Sequence, residues 1–115
     1  MTRLLLITAF AGVTALAHAA DDTRGKELYT VYCTQCHGMQ GDGKGVNAAF
    51  MSVQPRDHTD TKEMSARTDE ELVKVIQHGG KAINKSVLMP AWGGNLKDDD
   101  IRALVAHLRA LCCSK

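Results

Sequence analysis

The sequence predicts an all-α fold, in which a few short helices are joined by long loops. Three segments carry apolar residues at helical spacing. No stretch of the 115 residues shows the regular alternation of apolar and polar residues that is typical of a half-buried strand. Two irregular segments, 38–55 and 81–96, separate the helical ones. Loops of this length in so small a chain are usually functional and need something to pack against.

The first predicted helix covers residues 23–36. Leu28, Val31 and Tyr32 fall at positions i, i+3 and i+4, so they share one face. Gly25 lies one turn before Leu28 on the same side, where it leaves a gap in the side-chain surface of the helix. We therefore expect this face to pack against another part of the protein.

The second predicted helix covers residues 69–78. Thr68, followed three residues later by Glu71, fits a capping box, in which each side chain bonds the backbone of the other residue. A pair of glycines follows His78 and ends the helical pattern. The apolar residues inside the segment repeat the i, i+3, i+4 spacing and are Leu72, Val75 and Ile76.

The third predicted helix has the strongest pattern. Three aspartates, at 98–100, stand at its start, where the positive end of the helix dipole favours acidic groups. Arg109 lies near its end, where a cation is favoured. One apolar stripe follows the helix through Ile101, Leu104, Val105, Leu108 and Leu111.

The N-terminal residues 1–19 have the features of a cleaved secretory signal peptide. Arg3 gives a positive start, an apolar run covers residues 4–17, and the sequence Ala-His-Ala at 17–19 matches a signal peptidase site. The run is shorter than the roughly 20 residues that a membrane-spanning helix needs. We expect cleavage after Ala19, a mature domain at 20–115 and export to the periplasm, without stable membrane insertion; the alternative is an uncleaved N-terminal anchor.

The charge of the mature chain excludes one class of partner. Removal of residues 1–19 takes away Arg3 and no acidic residue, which leaves 13 basic and 13 acidic side chains of the original 14 and 13. Nucleic-acid binding would need a strong basic excess, so we expect none. Free thiols are unusual in an oxidising compartment, so each of the four cysteines should be occupied.

The stretch CTQCH, at residues 33–37, is the main chemical signal in the chain. A thioredoxin-like pair would lie in a βαβ context, which the sequence lacks. A structural zinc site would need a second ligand pair, and the adjacent Cys112 and Cys113 are poor tetrahedral partners. A simple disulfide between Cys33 and Cys36 would leave His37 without a role.

Covalent haem gives all three residues of CTQCH a role. C-x-x-C-H is the attachment sequence of c-type haem. Cys33 and Cys36 lie on one side of a helical turn, where their thiols can add to the two vinyl groups of the porphyrin. His37 then presents its imidazole to the iron from the same face. The sequence therefore predicts one covalent haem with His37 as an axial ligand.

Met89 is the strongest candidate for the second axial ligand. It lies in a loop 52 positions after His37 and is followed by Pro90, which stiffens the backbone. A thioether ligand favours ferrous iron. His58 and Met64 are the main alternatives, although we expect His58 to be solvated in a polar loop and Met64 to fill a core or loop position.

The motifs together resemble the class I c-type cytochromes, and most of all the small bacterial periplasmic monohaem members. The main matching pieces are GKELYTVYCTQCHG at 25–38, MPAWGG at 89–94 and DDDIRALVAHLR at 98–109. PRD at 55–57 and DEELVKVIQHGG at 69–80 also look like this group. The pieces cover essentially the whole mature chain in the family's order.

The resemblance implies the class I cytochrome c fold, with three to five short helices and long loops wrapped around one haem c. It implies that the first and last helices cross near Gly25, with Tyr29 at the crossing. The second nitrogen of His37 would donate to a backbone carbonyl, for which we expect the segment 53–55. Trp92 and Arg56 are candidates for hydrogen bonds to the haem propionates; the alternatives are a core tryptophan and a surface arginine.

The function implied is that of a periplasmic electron carrier and not of an enzyme. One electron at a time would pass through a His/Met-ligated haem between redox partner proteins, such as respiratory or dehydrogenase partners. Leu28, Tyr32, Leu72, Ile76 and Leu104 would form an apolar wall around the haem. One alternative is a fixed haem subunit of a larger redox enzyme complex. Another is a haem peroxidase or gas-binding protein with an open iron site.

Cys112 and Cys113 have no role in haem attachment. They can form a disulfide with each other, although the resulting eight-membered ring is strained. They can instead link two chains into a disulfide-bonded dimer or stay free at a frayed helix end. We favour the intermolecular or free states slightly over the ring.

Overall fold

The protein is described here by a computed structural model, which gives the backbone of residues 13–114 and the side chains of residues 22–114. Of the predicted signal peptide, residues 1–12 lie outside the described part. Within the described residues the chain is helical and contains no strand, as the sequence predicts. The α-helices are α1 (Val13–Tyr32), α2 (Thr34–His37), α3 (Thr61–Ser65), α4 (Asp69–His78) and α5 (Asp98–Cys113), with 3-10 helices at Ala48–Phe50 and Gly80–Ile83.

The three predicted helices are confirmed, with one difference at each end of the first. Within the described residues the α1 helix covers Val13–Tyr32, so it already includes the ten residues before the predicted start, and it ends at Tyr32. Cys33 then separates it from α2, a single turn that ends at His37. The α4 helix has the predicted bounds, and both hydrogen bonds of the Thr68–Glu71 capping box are present. The short α3 helix was not predicted.

Helices α1 and α5 cross at Gly25, as the resemblance implied. A Cβ atom built on Gly25 would lie 2.0 Å from the carbonyl oxygen of Ala103, so only glycine allows this approach. Tyr29, one turn further along α1, is buried at the same crossing. Its ring meets the ring of His107 from α5 edge to face, with 5.2 Å between the centroids. The two long loops are arranged against this pair of helices.

The hydrophobic core lies between α5 and the other helices. The most deeply buried side chains are Met64, Ile101, Leu104 and Cys112. Arg109 of α5 joins the core to α3 and α4, because its guanidinium donates to the Met64 and Arg67 carbonyl oxygens at 2.7 and 2.6 Å and to Asp69 Oδ1 at 2.8 Å. The last turn of α5 therefore fixes the position of α3.

The end of α4 turns the chain into the second long loop. Gly79 ends the helix with φ of +80°, a left-handed conformation that favours glycine. The backbone then returns to the same helix, since the N–H groups of Trp92 and Gly93 donate to the carbonyl oxygens of Ile76 and Gln77 at 2.9 and 3.1 Å. Both ends of the loop are thus attached to the last turn of α4.

Cys112 and Cys113 form a disulfide with each other at the end of α5. Cys112 is buried, with 1% of its surface exposed, and Cys113 faces solvent. The preference for intermolecular or free cysteines was therefore wrong, and a disulfide-linked dimer is not supported. Packing explains the difference, because the buried Cys112 sulfur is out of reach of a second chain and is bonded to the sulfur of its exposed neighbour.

None of the helices in the described part of the chain is both long and apolar enough to cross a membrane.

Candidate functional site

A cavity of about 560 Å³ opens between α4, the α1–α2 junction and the two long loops. Its volume is typical of a site for a drug-sized ligand or cofactor. All six residues that the sequence singled out line this one cavity, namely Cys33, Cys36, His37, Arg56, Met89 and Trp92. Residues more than 50 positions apart in the chain are therefore brought to the same site.

The α2 turn places the two cysteines and the histidine. The N–H of His37 donates to the Cys33 carbonyl oxygen at 2.9 Å, which closes one helical turn over CTQCH. Neither Cys33 nor Cys36 is in a disulfide. Burial, with a smaller contribution from Cys36, raises the pKa of the Cys33 thiol to about 12. Both sulfurs are thus available on the cavity wall, and Cys33 stays protonated at neutral pH.

The imidazole of His37 is oriented by a backbone carbonyl. Its Nδ1 lies 3.0 Å from the carbonyl oxygen of Arg56. A carbonyl can only accept, so Nδ1 carries the proton and Nε2 keeps its lone pair. Burial lowers the pKa of His37, which favours the neutral ring. The imidazole can therefore act as a metal ligand through Nε2.

The carbonyl that bonds His37 lies one residue beyond the predicted segment 53–55. A Cβ atom on Gly43 would lie 2.8 Å from the Pro55 carbonyl oxygen, so that oxygen faces Gly43. The next carbonyl, of Arg56, then points to His37. The predicted kind of contact is present, and the exact residue depends on how the loop after α2 packs.

His58 is not solvated, contrary to the expectation from its polar loop. Its ring stacks on the ring of His37, with 4.2 Å between the centroids and 18° between the planes. Its Nδ1 lies 2.9 Å from the hydroxyl of Tyr29. Burial is the main cause that lowers the pKa of His58 to about 3, so this ring is neutral at pH 7. Two imidazoles in contact cannot occupy opposite faces of one iron, which disfavours His58 as the second axial ligand.

Met89 is held on the cavity wall by the turn of chain that follows α4. The N–H of Gly80 donates to the Met89 carbonyl oxygen at 3.1 Å, and the N–H of Lys85 donates to the Gly80 carbonyl oxygen at 2.9 Å. Glycine is required at position 80, since a Cβ there would lie 2.1 Å from the Ser86 carbonyl oxygen. Met64, the other alternative, is fully buried in the core.

Trp92 and Arg56 lie at the cavity, each with a partner in the protein. Trp92 is half-buried, and its ring meets the ring of Tyr32 at a centroid distance of 5.0 Å and an angle of 64°. Arg56 pairs with Glu63, with 2.6 Å between Nη1 and Oε2. A propionate at this end of the cavity would share the Arg56 guanidinium with Glu63.

The rest of the wall is largely apolar. Four of the five residues expected there line the cavity, namely Tyr32, Leu72, Ile76 and Leu104. Leu28 is buried in the core instead. Sequence reasoning missed several residues that also line the cavity, including Tyr29, His58, Val75 and Leu108. The last two belong to the apolar helix stripes and could have been found from them.

The donor set fits a covalently attached haem. Two free thiols, one neutral imidazole with an open Nε2 and one thioether all face an apolar cavity. The family model described as cytochrome c oxidase, cbb3-type, subunit III matches residues 20–108. The chain is a class I c-type cytochrome. Its cofactor is accordingly covalently bound haem c.

The known proteins that are similar to this cytochrome include a cytochrome c6 and a subunit of an oxidase. Cytochrome c6 from Porphyra purpurea is 32% identical over 104 residues, which cover 87% of this chain and 84% of that protein. The cbb3-type cytochrome c oxidase subunit FixPc from Rhizobium leguminosarum bv. viciae is 28% identical over 87 residues, which cover 76% of this chain and 26% of that subunit.

Solved structures agree with the fold of this cytochrome. The KustC0563 c-type cytochrome superposes with a TM-score of 0.63 and 23% identity over 76% of this chain and 96% of that one. At that identity the likeness shows the fold alone. Fold and family together establish an electron-transfer haem protein.

Proposed function

We propose that this cytochrome is an exported, periplasmic electron carrier whose haem iron is bound by His37 and Met89. The observation that carries the proposal is that both residues, with Cys33 and Cys36, line one apolar cavity. When bound, the haem supplies one-electron exchange at its iron. The protein is then a carrier between redox partner proteins and not a catalyst of a chemical conversion.

Each of the cavity residues would hold the cofactor in a different way. Cys33 and Cys36 would tether it through thioether bonds, and His37 would offer Nε2, while the Arg56 carbonyl oxygen lies 3.0 Å from its other ring nitrogen. Met89 offers its thioether from a turn that is bonded to Gly80. Because both ligands are attached to hydrogen-bonded backbone, they move little when the charge at the centre changes. Small movement lowers the reorganisation that each electron transfer requires.

The apolar wall makes the reduced state easier to reach. Tyr32, Leu72, Ile76 and Leu104 give the cavity a largely apolar lining, which water solvates poorly. A low-dielectric surrounding disfavours the more highly charged ferric centre. Trp92 and Arg56 also line the cavity and would be the donors of hydrogen bonds to the propionates. We therefore expect a higher reduction potential than that of a solvent-exposed haem.

The test is a spectrum of the holoprotein in both oxidation states, with variants at two methionines. Methionine–iron ligation gives a weak absorption at the red end of the ferric spectrum. The variant Met89→Ala should lose this band and bind carbon monoxide in the ferrous form at neutral pH. Met39→Ala is the matched control, because Met39 is 72% exposed and lies only two residues after His37. A wild-type protein that lacks the band and binds carbon monoxide readily would favour a peroxidase or gas-binding site.

A fixed subunit of a larger complex is the second candidate. The family description names an oxidase subunit, and one relative is itself a subunit. Exposed apolar side chains on the loops also suit a permanent contact, with Phe50 at 87% and Val87 at 73% exposed. Purification from the native membrane and periplasmic fractions distinguishes the two. A carrier leaves with the soluble fraction, whereas a subunit stays with its complex at high salt.

Export is tested by the mass of the protein purified from cells. Cleavage after Ala19 would give an N-terminus at Ala20 and a chain of 96 residues plus one haem. A mass that includes residues 1–19 would instead favour the uncleaved anchor.

A further inference from the structure

We propose that His58 is a positioning residue that sets the orientation of the His37 imidazole plane. The inference rests on the proposed function, since it takes His37 to be the axial ligand. The stack of the two rings, at 4.2 Å and 18°, is the observation that carries it. The Arg56 carbonyl holds Nδ1 of His37 from the edge of the ring, and His58 covers one face. Together they restrict rotation of the ring about its bond to Cβ.

His58 can position His37 only if His58 is itself fixed. Hydrogen bonds hold both its backbone and its side chain. Its backbone N–H donates to the Gly41 carbonyl oxygen at 2.6 Å, which ties it to the loop that follows CTQCH. Its side chain bonds the Tyr29 hydroxyl through Nδ1 at 2.9 Å. The ring therefore lies between two anchors on different parts of the fold.

Tyr29 is in turn rigid, because it is at the helix crossing. It is 2% exposed, and its ring packs edge to face on His107. His107 Nδ1 lies 2.8 Å from Asp22 Oδ1 at the start of the described side chains of α1. A continuous series of contacts thus connects the α1–α5 crossing with the iron ligand, by way of Tyr29 and His58.

Orientation of the axial imidazole has spectroscopic consequences that stability alone does not have. In a ferric low-spin haem, the plane of the imidazole affects the g values of the electron paramagnetic resonance spectrum and the order of the shifted haem methyl proton resonances. Ligands of a metal are generally oriented by such neighbouring contacts, whose loss changes the properties of the metal. Loss of the stack between His58 and His37 should therefore change both the g values and the haem methyl resonances.

The experiment compares four variants of the ferric holoprotein. His58→Ala removes the stacked ring and should broaden and shift the largest g feature and rearrange the methyl resonances. His58→Phe keeps a ring at the same place but loses the bond to Tyr29, so it should return most of the way to the wild-type spectrum, with a broadening no larger than that of Tyr29→Phe. Tyr29→Phe keeps both rings but frees Nδ1 of His58, and should give a smaller broadening. His78→Ala is the control, since His78 is an exposed histidine at the end of α4.

Two results would overturn the proposal. One is a His58→Ala protein with wild-type g values and methyl resonances. The other is a His58→Phe protein that departs from wild type as far as His58→Ala does. Should His58→Ala fail to retain haem, His58→Leu, which fills the space without a ring, takes its place under the same criteria. If the wild type itself lacks methionine ligation, the proposed function fails, whereas a failure at His58 alone leaves that function intact.

Discussion

Gly25 and Ala103 meet at the crossing of α1 and α5, where a Cβ atom on the glycine would lie 2.0 Å from the alanine carbonyl oxygen. The contact is between two backbones, so no side chain can move aside to relieve an overlap. The same crossing buries Tyr29, which reaches the site through His58. The distance between the two helices therefore influences both stability and the arrangement around His37.

Substitution Gly25→Ala should destabilise the fold. The added methyl group forces the helices apart, and overpacking of this kind typically costs about 1–3 kcal/mol. Chemical denaturation followed by circular dichroism measures the change in the free energy of unfolding. Gly94→Ala is the matched control, because nothing lies within 4 Å of a Cβ at that position. Equal stability of the two variants would contradict the close approach.

Substitution Gly80→Ala should disturb the Met89 side of the cavity. A Cβ at position 80 would lie 2.1 Å from the Ser86 carbonyl oxygen and 3.1 Å from the Met89 Cβ. We expect the methionine–iron band to weaken or vanish while the α-helical circular dichroism signal is retained. The visible spectrum of the ferric protein measures the intensity of this band directly, and Gly94→Ala again serves as the control. A full-strength band in Gly80→Ala would mean that the turn adapts without moving Met89.

Substitution Arg109→Ala should destabilise the protein by about 1–3 kcal/mol. It removes the guanidinium donor from the Arg67 carbonyl oxygen and leaves the Met64 carbonyl oxygen with only the Arg67 N–H. Arg102→Ala serves as the comparison. Arg102 lies on the same helix but is exposed and pairs with Asp99, so its loss should change the free energy of unfolding by less than about 0.5 kcal/mol. Thermal or urea unfolding of the two variants should differ accordingly.

The cysteines at the end of α5 should behave as one internal pair. Reduction should add two hydrogen atoms to the intact mass and leave the protein monomeric, since Cys112 is 1% exposed and bonded to its neighbour. Mass spectrometry with and without reductant, beside a non-reducing gel, measures both properties. A dimer band that disappears on reduction would contradict the internal disulfide. A Cys113→Ser variant should then also be monomeric.

The sequence was sufficient where one local signal decided the structure. The α4 helix has its predicted bounds because the Thr68–Glu71 capping box starts it and Gly79 ends it. The α5 helix follows from its long apolar stripe. The α3 helix was missed, because five residues with one buried side chain, Met64, produce no periodicity.

The sequence predicted the side chains that could bind the haem, but not the residues that hold those side chains in place. Cys33, Cys36, His37 and Met89 stand in recognisable motifs and line one cavity. His58 has no such motif, since its role depends on a contact with Tyr29 that spans 29 positions. Similarly, Leu28 shares its helix face with Tyr32, which lines the cavity, but Leu28 itself packs in the core. Contacts between distant segments are thus the part that local patterns did not contain.

The two sides of the cavity differ in how independently they can open. His37 is attached to α1 through a helical turn, whereas Met89 lies in a turn whose neighbours Val87 and Leu88 are 73% and 54% exposed. Such a segment can detach as a small cooperative unit at a lower free energy than global unfolding. Amide hydrogens of residues 84–89 should exchange with solvent well before those of α1 and α5. An external ligand would then enter from the methionine side, while the helices remain folded.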